Sequence, residues 1–302
     1  MFLKWFDNNT VILSSSDKNK ADWGRVWPFV AMHLACFAAF WVGYSKTAII
    51  TAVALYWVRI FSIGAFYHRY FSHKTFQTNR IWQFIFAIMC MTSIQRGPLW
   101  WAAHHRDHHI ISDMPDDPHS PIHTSFWWSH CGWFLSQKFF RYNPERIKDF
   151  SKFPELKFLD RYDTLVPFCL AVFLFGLGEY FRYFHPEFNT SGLQLLIWGF
   201  CISSVAVWHS TFSINSISHR FGIKAYPTKD NSRNSFILAL FTMGEGWHNN
   251  HHHYPATAKQ GFKWWQFDPT FYILVLFEKL RIIKNLKRLP KHIHTQEKIN
   301  DK

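Results

Sequence analysis

The sequence offers little support for an extracellular or a nucleic-acid-binding protein. Its five cysteines (Cys36, Cys90, Cys131, Cys169 and Cys201) lie far apart and form no CxxC pair. That spacing argues against a disulfide framework and for reduced thiols. The opening MFLKWFDNNT has no apolar core followed by a cleavage site, so no secretory leader is expected. Internal repeats and low-complexity linkers are missing, and residues 1–302 read as one domain. Acidic residues are scarce, 20 against 33 Lys and Arg, which leaves a formal charge of +13. Such a balance suits polyanions or anionic lipid. No nucleic-acid-binding motif accompanies it, and no nucleic-acid partner is expected.

Aromatic residues are abundant. They make up 20% of the chain, with 33 Phe and 16 Trp, and such rings collect where an apolar phase meets water. The mean hydropathy of −0.12 conceals an alternation of apolar blocks with polar, histidine-rich ones. Val26–Tyr44 is uncharged, Thr47–Tyr67 carries only Arg59, and Leu165–Phe181 carries only Glu179. Phe188–Ser218 has no charge, and its central part, 192–212, is the expected crossing. A bilayer core takes roughly 20 mainly apolar residues, so four spans are expected. Two stretches, 81–94 and 270–288, are apolar but suit the interface better; the second continues into the basic EKLRIIKNLKRLPK. The charged stretch Arg141–Asp163 reads as a connector with helical parts, and 290–302 as a mobile tail.

Four crossings make two hairpins with short outer loops around Ser45–Lys46 and Arg182–Glu187. Those loops hold only Lys46 and Arg182 of the basic residues, and nearly all the rest are expected on the cytosolic side. The dense histidine clusters fall on that side too. The expected fold is an all-α integral membrane protein, its cytosolic helical cap carrying the histidines.

Three of those clusters have ligand spacing. His68 and His73 form an HxxxxH pair; His105, His108 and His109 form HxxHH; His248, His251 and His252 repeat it. Positions i, i+3 and i+4 share a helix face, so each triplet can aim three imidazoles at one place. Five residues turn about 140° away from one face, so His68 and His73 require a bent or fraying helix end. Asn215 and His219 are again i, i+4. Neutral imidazole ligates iron, copper, zinc and nickel, and nine histidines exceed what one zinc uses. Two metals are expected; the paired ExxH motifs of carboxylate di-iron bundles are missing. Among flanking carboxylates, Asp107, Asp116 and Glu245 are candidates to accept the second N–H of a ligand, and Asp117 also lies nearby. Asp113 reads as loop charge. His33, His123, His185, His292 and His294 read as structural, as for the most part do His119, His130 and His209.

The landmarks HRYFSH, HHRDHH with DDPHSP, WWSHCGW, NSISHRFG and GEGWHNNHHHYP run from about Gly64 to Phe271. Through them the chain resembles the membrane fatty acyl desaturases of the stearoyl-CoA desaturase type. The resemblance implies a di-iron site with dioxygen as co-substrate. Its ligands would be His68, His73, His105, His108, His109, His219, His248, His251 and His252, with Asn215 acting through water. It implies introduction of a cis double bond into a saturated chain, with acyl-CoA and the delta-9 position expected. An acyl-lipid substrate, a related hydroxylation and, from another class, metal transport are the alternatives. Trp100, Trp101, Trp127 and Trp128 are candidate walls of a substrate tunnel. The Arg-Asp pair that animal acyl-CoA enzymes place before the second box is Ala103-His104 here, a departure at the coenzyme A contacts. No HPGG haem segment is present, so a separate electron donor, of ferredoxin or cytochrome b5 type with its reductase, is expected. A bacterial inner membrane fits better than endoplasmic reticulum.

Overall fold

The structure, a computed structural model, describes residues 6–10, 20–291 and 293. Four helices are long and apolar enough to cross a membrane: Trp23–Val42, Lys46–Ser72, Leu165–Phe184 and Gly192–Ser216. Local chemistry sets several of their starts. The Asp22 carboxylate accepts from Gly24 N, the Ser45 hydroxyl from Ala48 N, and the Ser191 hydroxyl from Gln194 N. Each satisfies an N–H that the first helical turn leaves orphaned.

The fourth long helix is central; the first, second and third all pack on it. Arg59, fully buried in the second helix, donates from Nη1 to Ser203 Oγ and Ser204 Oγ, both at 3.0 Å, and ties that helix to the fourth. The outward surfaces are apolar. Phe40 is 83% and Trp41 82% exposed on the first helix, where no residue is buried. Surfaces of that kind are stable where lipid is the solvent.

Two spans run further than their apolar pattern suggests. The second was expected to end at Tyr67 and continues to Ser72, and its last ten residues, Ile63–Ser72, form a π-helix. The fourth continues to Ser216 and carries Asn215. The helix Arg80–Met91 packs on the second through Phe86, whose ring stacks on Phe66 at 3.9 Å.

The stretch 270–288 is not one helix. The helix there is Pro269–Lys279; Ile283–Lys284 then pairs antiparallel with Gln77–Thr78. Arg281 and Asn285 take positive φ, Lys287 N donates to Thr75 O, and Ile283 and Leu286 are buried. Backbone partners and burial offered by the segment after His73 outweigh the local amphipathic pattern. Most of the expected tail, with His292 and His294, lies outside the described residues.

Candidate metal centre and adjoining cavity

The π-turn resolves the awkward HxxxxH spacing. With i→i+5 hydrogen bonding, residue i+5 sits over residue i. His73 N donates to His68 O at 3.2 Å, and the two ring centroids are 4.9 Å apart. The second box lies on the helix Pro98–Ile111. Asp160 caps that helix from a distance, accepting from Leu99 N at 3.0 Å and Trp100 N at 2.9 Å. Gly97 is required for this approach, because a Cβ there would sit 2.3 Å from Asp160 Oδ1. The third box forms the short helix His248–His253, where Asn234 Oδ1 accepts from Asn249 N and Asn250 N.

The nine histidines converge in two groups. His68, His73, His105, His109 and His251 form one; His108, His219, His248 and His252 form the other, and within each the candidate ligand atoms lie within 4.8 Å of one another. Nε2 atoms face each other: His68 and His251 at 2.9 Å, His73 and His105 at 2.8 Å, His219 and His248 at 3.0 Å. Each HxxHH triplet is shared between the groups rather than aimed at one place. On a helix, i and i+4 are only about 40° apart, whereas i+3 and i+4 differ by about 100°. His105 and His109 therefore join one group and His108 the other, and His248 and His252 part from His251 in the same way. The groups abut, with the His109 and His252 rings stacked at 4.5 Å.

Carboxylates hold the outer nitrogens. The His68 Nδ1 is bonded to Glu245, His108 Nδ1 to Asp117 at 3.0 Å, His219 Nδ1 to Asp113 at 2.9 Å, and His252 Nδ1 to Asp230 at 2.6 Å. Glu245 is itself 3.1 Å from Arg69 Nη1, and Arg69 Nη2 donates to Asp268. Such partners fix the tautomer and leave Nε2 as the inward lone pair. Burial, then the neighbouring imidazoles, push the pKa values of His105, His109, His248 and His251 well below the ordinary value. Burial lowers His252 to about 4 despite Asp230. At His108 burial acts downward too, but Asp117 outweighs it and raises the pKa. The donor set is thus largely neutral, nitrogen-rich and buried or half-buried, and His252 Nε2 has no hydrogen-bond partner among the described residues. Both features fit two soft-to-borderline metal ions.

Three expectations about carboxylates change. Asp107 pairs with Arg146, because at i+2 from His105 it lies on the opposite helix face. Asp116 is exposed in the turn, while its neighbour Asp117 is fully buried against His108 and His119. Asp113 is not loop charge; besides His219 it accepts from Ser120 Oγ and Asn231 N. Burial would raise its pKa, but His219 and these donors lower it to about 2. Asp230 carries no spacing signal in the sequence and was not identified there.

A cavity of about 400 Å³ runs up to His105. Trp100, Trp101, Trp208, Phe212 and Asn215 wall it, and Asn215 thereby faces the same space as His105. Gln95 crosses the wall, donating to Thr211 Oγ1 at 3.2 Å and accepting from Trp101 Nε1 at 3.4 Å. Trp127 and Trp128 do not line the cavity; Trp127 is 68% exposed. Their segment turns Ser129 and His130 inward instead, and His130 joins His209, which meets His33.

Residues 45–277 match the family model described as fatty acid desaturase. Among curated proteins, an sn-1 stearoyl-lipid 9-desaturase of Anabaena variabilis is 33% identical over 91% of this chain and 97% of its own length. An sn-2 palmitoyl-lipid 9-desaturase of a Nostoc strain is 34% identical over 89% of this chain and 91% of its own. An acyl-CoA 5-desaturase of Anemone leveillei is 32% identical over 92% of this chain and 86% of its own.

Proposed function

The chain belongs to the fatty acid desaturase family, and we propose that it introduces a cis double bond, at the 9-position, into a saturated acyl chain, using dioxygen and two histidine-bound irons. One observation carries the reading: two abutting groups of buried and half-buried imidazoles meet a largely apolar cavity at His105. His68, His73, His105, His109 and His251 would hold one iron, and His108, His219, His248 and His252 the other, with Asn215 acting through water. The irons would supply the redox chemistry that lets dioxygen take two hydrogens from adjacent methylenes. With two protons and two electrons from a separate donor, the balance is one alkene and two waters per dioxygen.

The protein's share is position and exclusion of water. Glu245, Asp113, Asp117 and Asp230 hold the imidazoles in one tautomer. Trp101 stacks on His105 at 5.1 Å and forms the cavity wall beside it. A saturated chain has no polar handle near its middle, so the reacting carbons are selected by their distance from the head group. The topology that goes with this reading is two transmembrane hairpins and a cytosolic cap, in one domain spanning 1–302, in a bacterial inner membrane. Electrons would come from a ferredoxin or cytochrome b5 type protein.

Expression in a host lacking unsaturated fatty acids, followed by mass spectrometry with double-bond location, tests the reading. Wild type should yield a 9-alkene. His105→Ala and His251→Ala should yield none while still inserting into the membrane. An alcohol product, or desaturation retained in both variants, would overturn it.

A further inference from the structure

The apolar space has two tracks. A second groove of about 290 Å³, walled by Phe158, Tyr162, Leu165 and Phe168, meets the main cavity at two shared residues, Phe6 and Thr164. Leu165 and Phe168 begin the third long helix and are exposed on its outer surface, where a span faces lipid. The junction is polar. Asn8 and the Arg96–Asp163 pair, at 2.7 Å, lie on its main-cavity side. Thr164 lines both spaces, and its hydroxyl, closed off behind their surface, has no hydrogen-bond partner among the described residues. A buried hydroxyl in that state is costly unless an occupant supplies the missing bond.

We propose that this fork binds a two-chain glycerolipid. One acyl chain runs along the cavity to His105, the second lies in the groove beside the third helix, and the glycerol esters sit at Thr164, whose hydroxyl turns about χ1 to donate to an ester carbonyl. The substrate is then an acyl-lipid taken sideways from the leaflet, not the thioester the sequence resemblance suggested. Two apolar tracks that share one polar junction match a diacylglycerol body. A thioester has one acyl chain and a long polar carrier, which would leave the apolar groove empty. Charge agrees with this choice: Arg96 is paired with Asp163, and Arg25 with Asp22 at 3.0 Å, so these cations at the cavity are already neutralised. The inference rests on the desaturase reading above.

The test uses purified, iron-loaded full-length protein, with ferredoxin and cytochrome b5 systems run in parallel. Three probes are offered: vesicles of 1-stearoyl-2-oleoyl-phosphatidylglycerol, 1-stearoyl-lysophosphatidylglycerol, and stearoyl-CoA. Wild type should prefer the diacyl lipid. Leu165→Trp, which fills the groove, should lower the diacyl-to-monoacyl turnover ratio about tenfold. Thr164→Val, nearly isosteric, should raise KM for the diacyl lipid roughly fivefold, the size of one lost hydrogen bond. An unchanged ratio in Leu165→Trp, or preference for stearoyl-CoA, would overturn the fork while leaving the desaturase reading intact. If no probe is desaturated, that reading fails, and native mass spectrometry decides the fork separately. A diacyl lipid retained by wild type and lost from Leu165→Trp would support it; no retention would end it.

Discussion

Replacing Gly64 with alanine probes the link between fold and metal centre. Gly64 lies in the π-helical end of the second long helix, where a Cβ would stand 2.8 Å from Glu245 Oε1 and 3.2 Å from its Cδ. The carboxylate has little freedom to retreat, because His68, Arg69 and Gln260 hold it on other sides. Moving it loosens the bond that orients His68. Loss of an outer carboxylate of this kind weakens metal binding about 10–100-fold, or roughly 1.4–2.8 kcal/mol. Glycine to alanine in a helix otherwise adds up to about 1 kcal/mol of stability. The variant should therefore unfold at nearly the wild-type temperature yet release iron earlier. Gly176→Ala is the control, since a Cβ there meets nothing within 4 Å; it should leave iron retention unchanged. The assay is iron per protein after equilibration with graded chelator, alongside thermal unfolding. If Gly64→Ala keeps its iron to the same chelator concentration as wild type, the proposed coupling through Glu245 is wrong.

Other outcomes follow from the same geometry. Asp113→Asn and Asp230→Asn, each removing a carboxylate partner of a second-group histidine, should weaken iron retention about 10–100-fold, and Asp107→Asn should not, as metal analysis would show. Burial raises the pKa of Asp160 to about 6 against its backbone donors. Its contribution to stability is therefore complete below about pH 3.8 and lost as pH rises through about 6. Asp160→Asn keeps an acceptor for Leu99 and Trp100, so it should be at least as stable as wild type at pH 7 and lack this slope in thermal unfolding. His105, His248 and His252 carry the opposite sign. Their pKa values are depressed in the fold, so metal-free protein should lose stability as pH falls below about 6.5 and His252 protonates near 4; flat unfolding temperatures between pH 7 and 4.5 would contradict this.

Much of the fold and part of the centre could be read from residue order. The four apolar blocks appear in the structure as four long helices, because hydropathy over about 20 residues is a local property. Asn215 and His219 were expected to share a helix face by their i, i+4 spacing, but the helix ends at Ser216 and His219 lies in the following turn, held by Asp113. His68 and His73 were harder. Their spacing does not suit an α-helix, and a π-turn is set by packing around it, not by HRYFSH itself.

The supply of imidazoles, their grouping into three boxes and the apolar helices that carry them follow from residue order, since each depends on neighbours within one or two turns. How nine rings divide five to four, and which carboxylate serves which ring, depends on packing between distant segments. Asp107 and Asp116 looked suitable by proximity along the chain, yet Asp117, Asp113 and Asp230 hold the rings. Second partners are selected by where a side chain points in space, and Asp113 meets His219 from 106 residues away. The forked cavity is likewise a product of assembly. Phe6, Trp101, Thr164 and Asn215 come from four separate parts of the chain, and no local pattern encodes a space that exists only after those parts have packed.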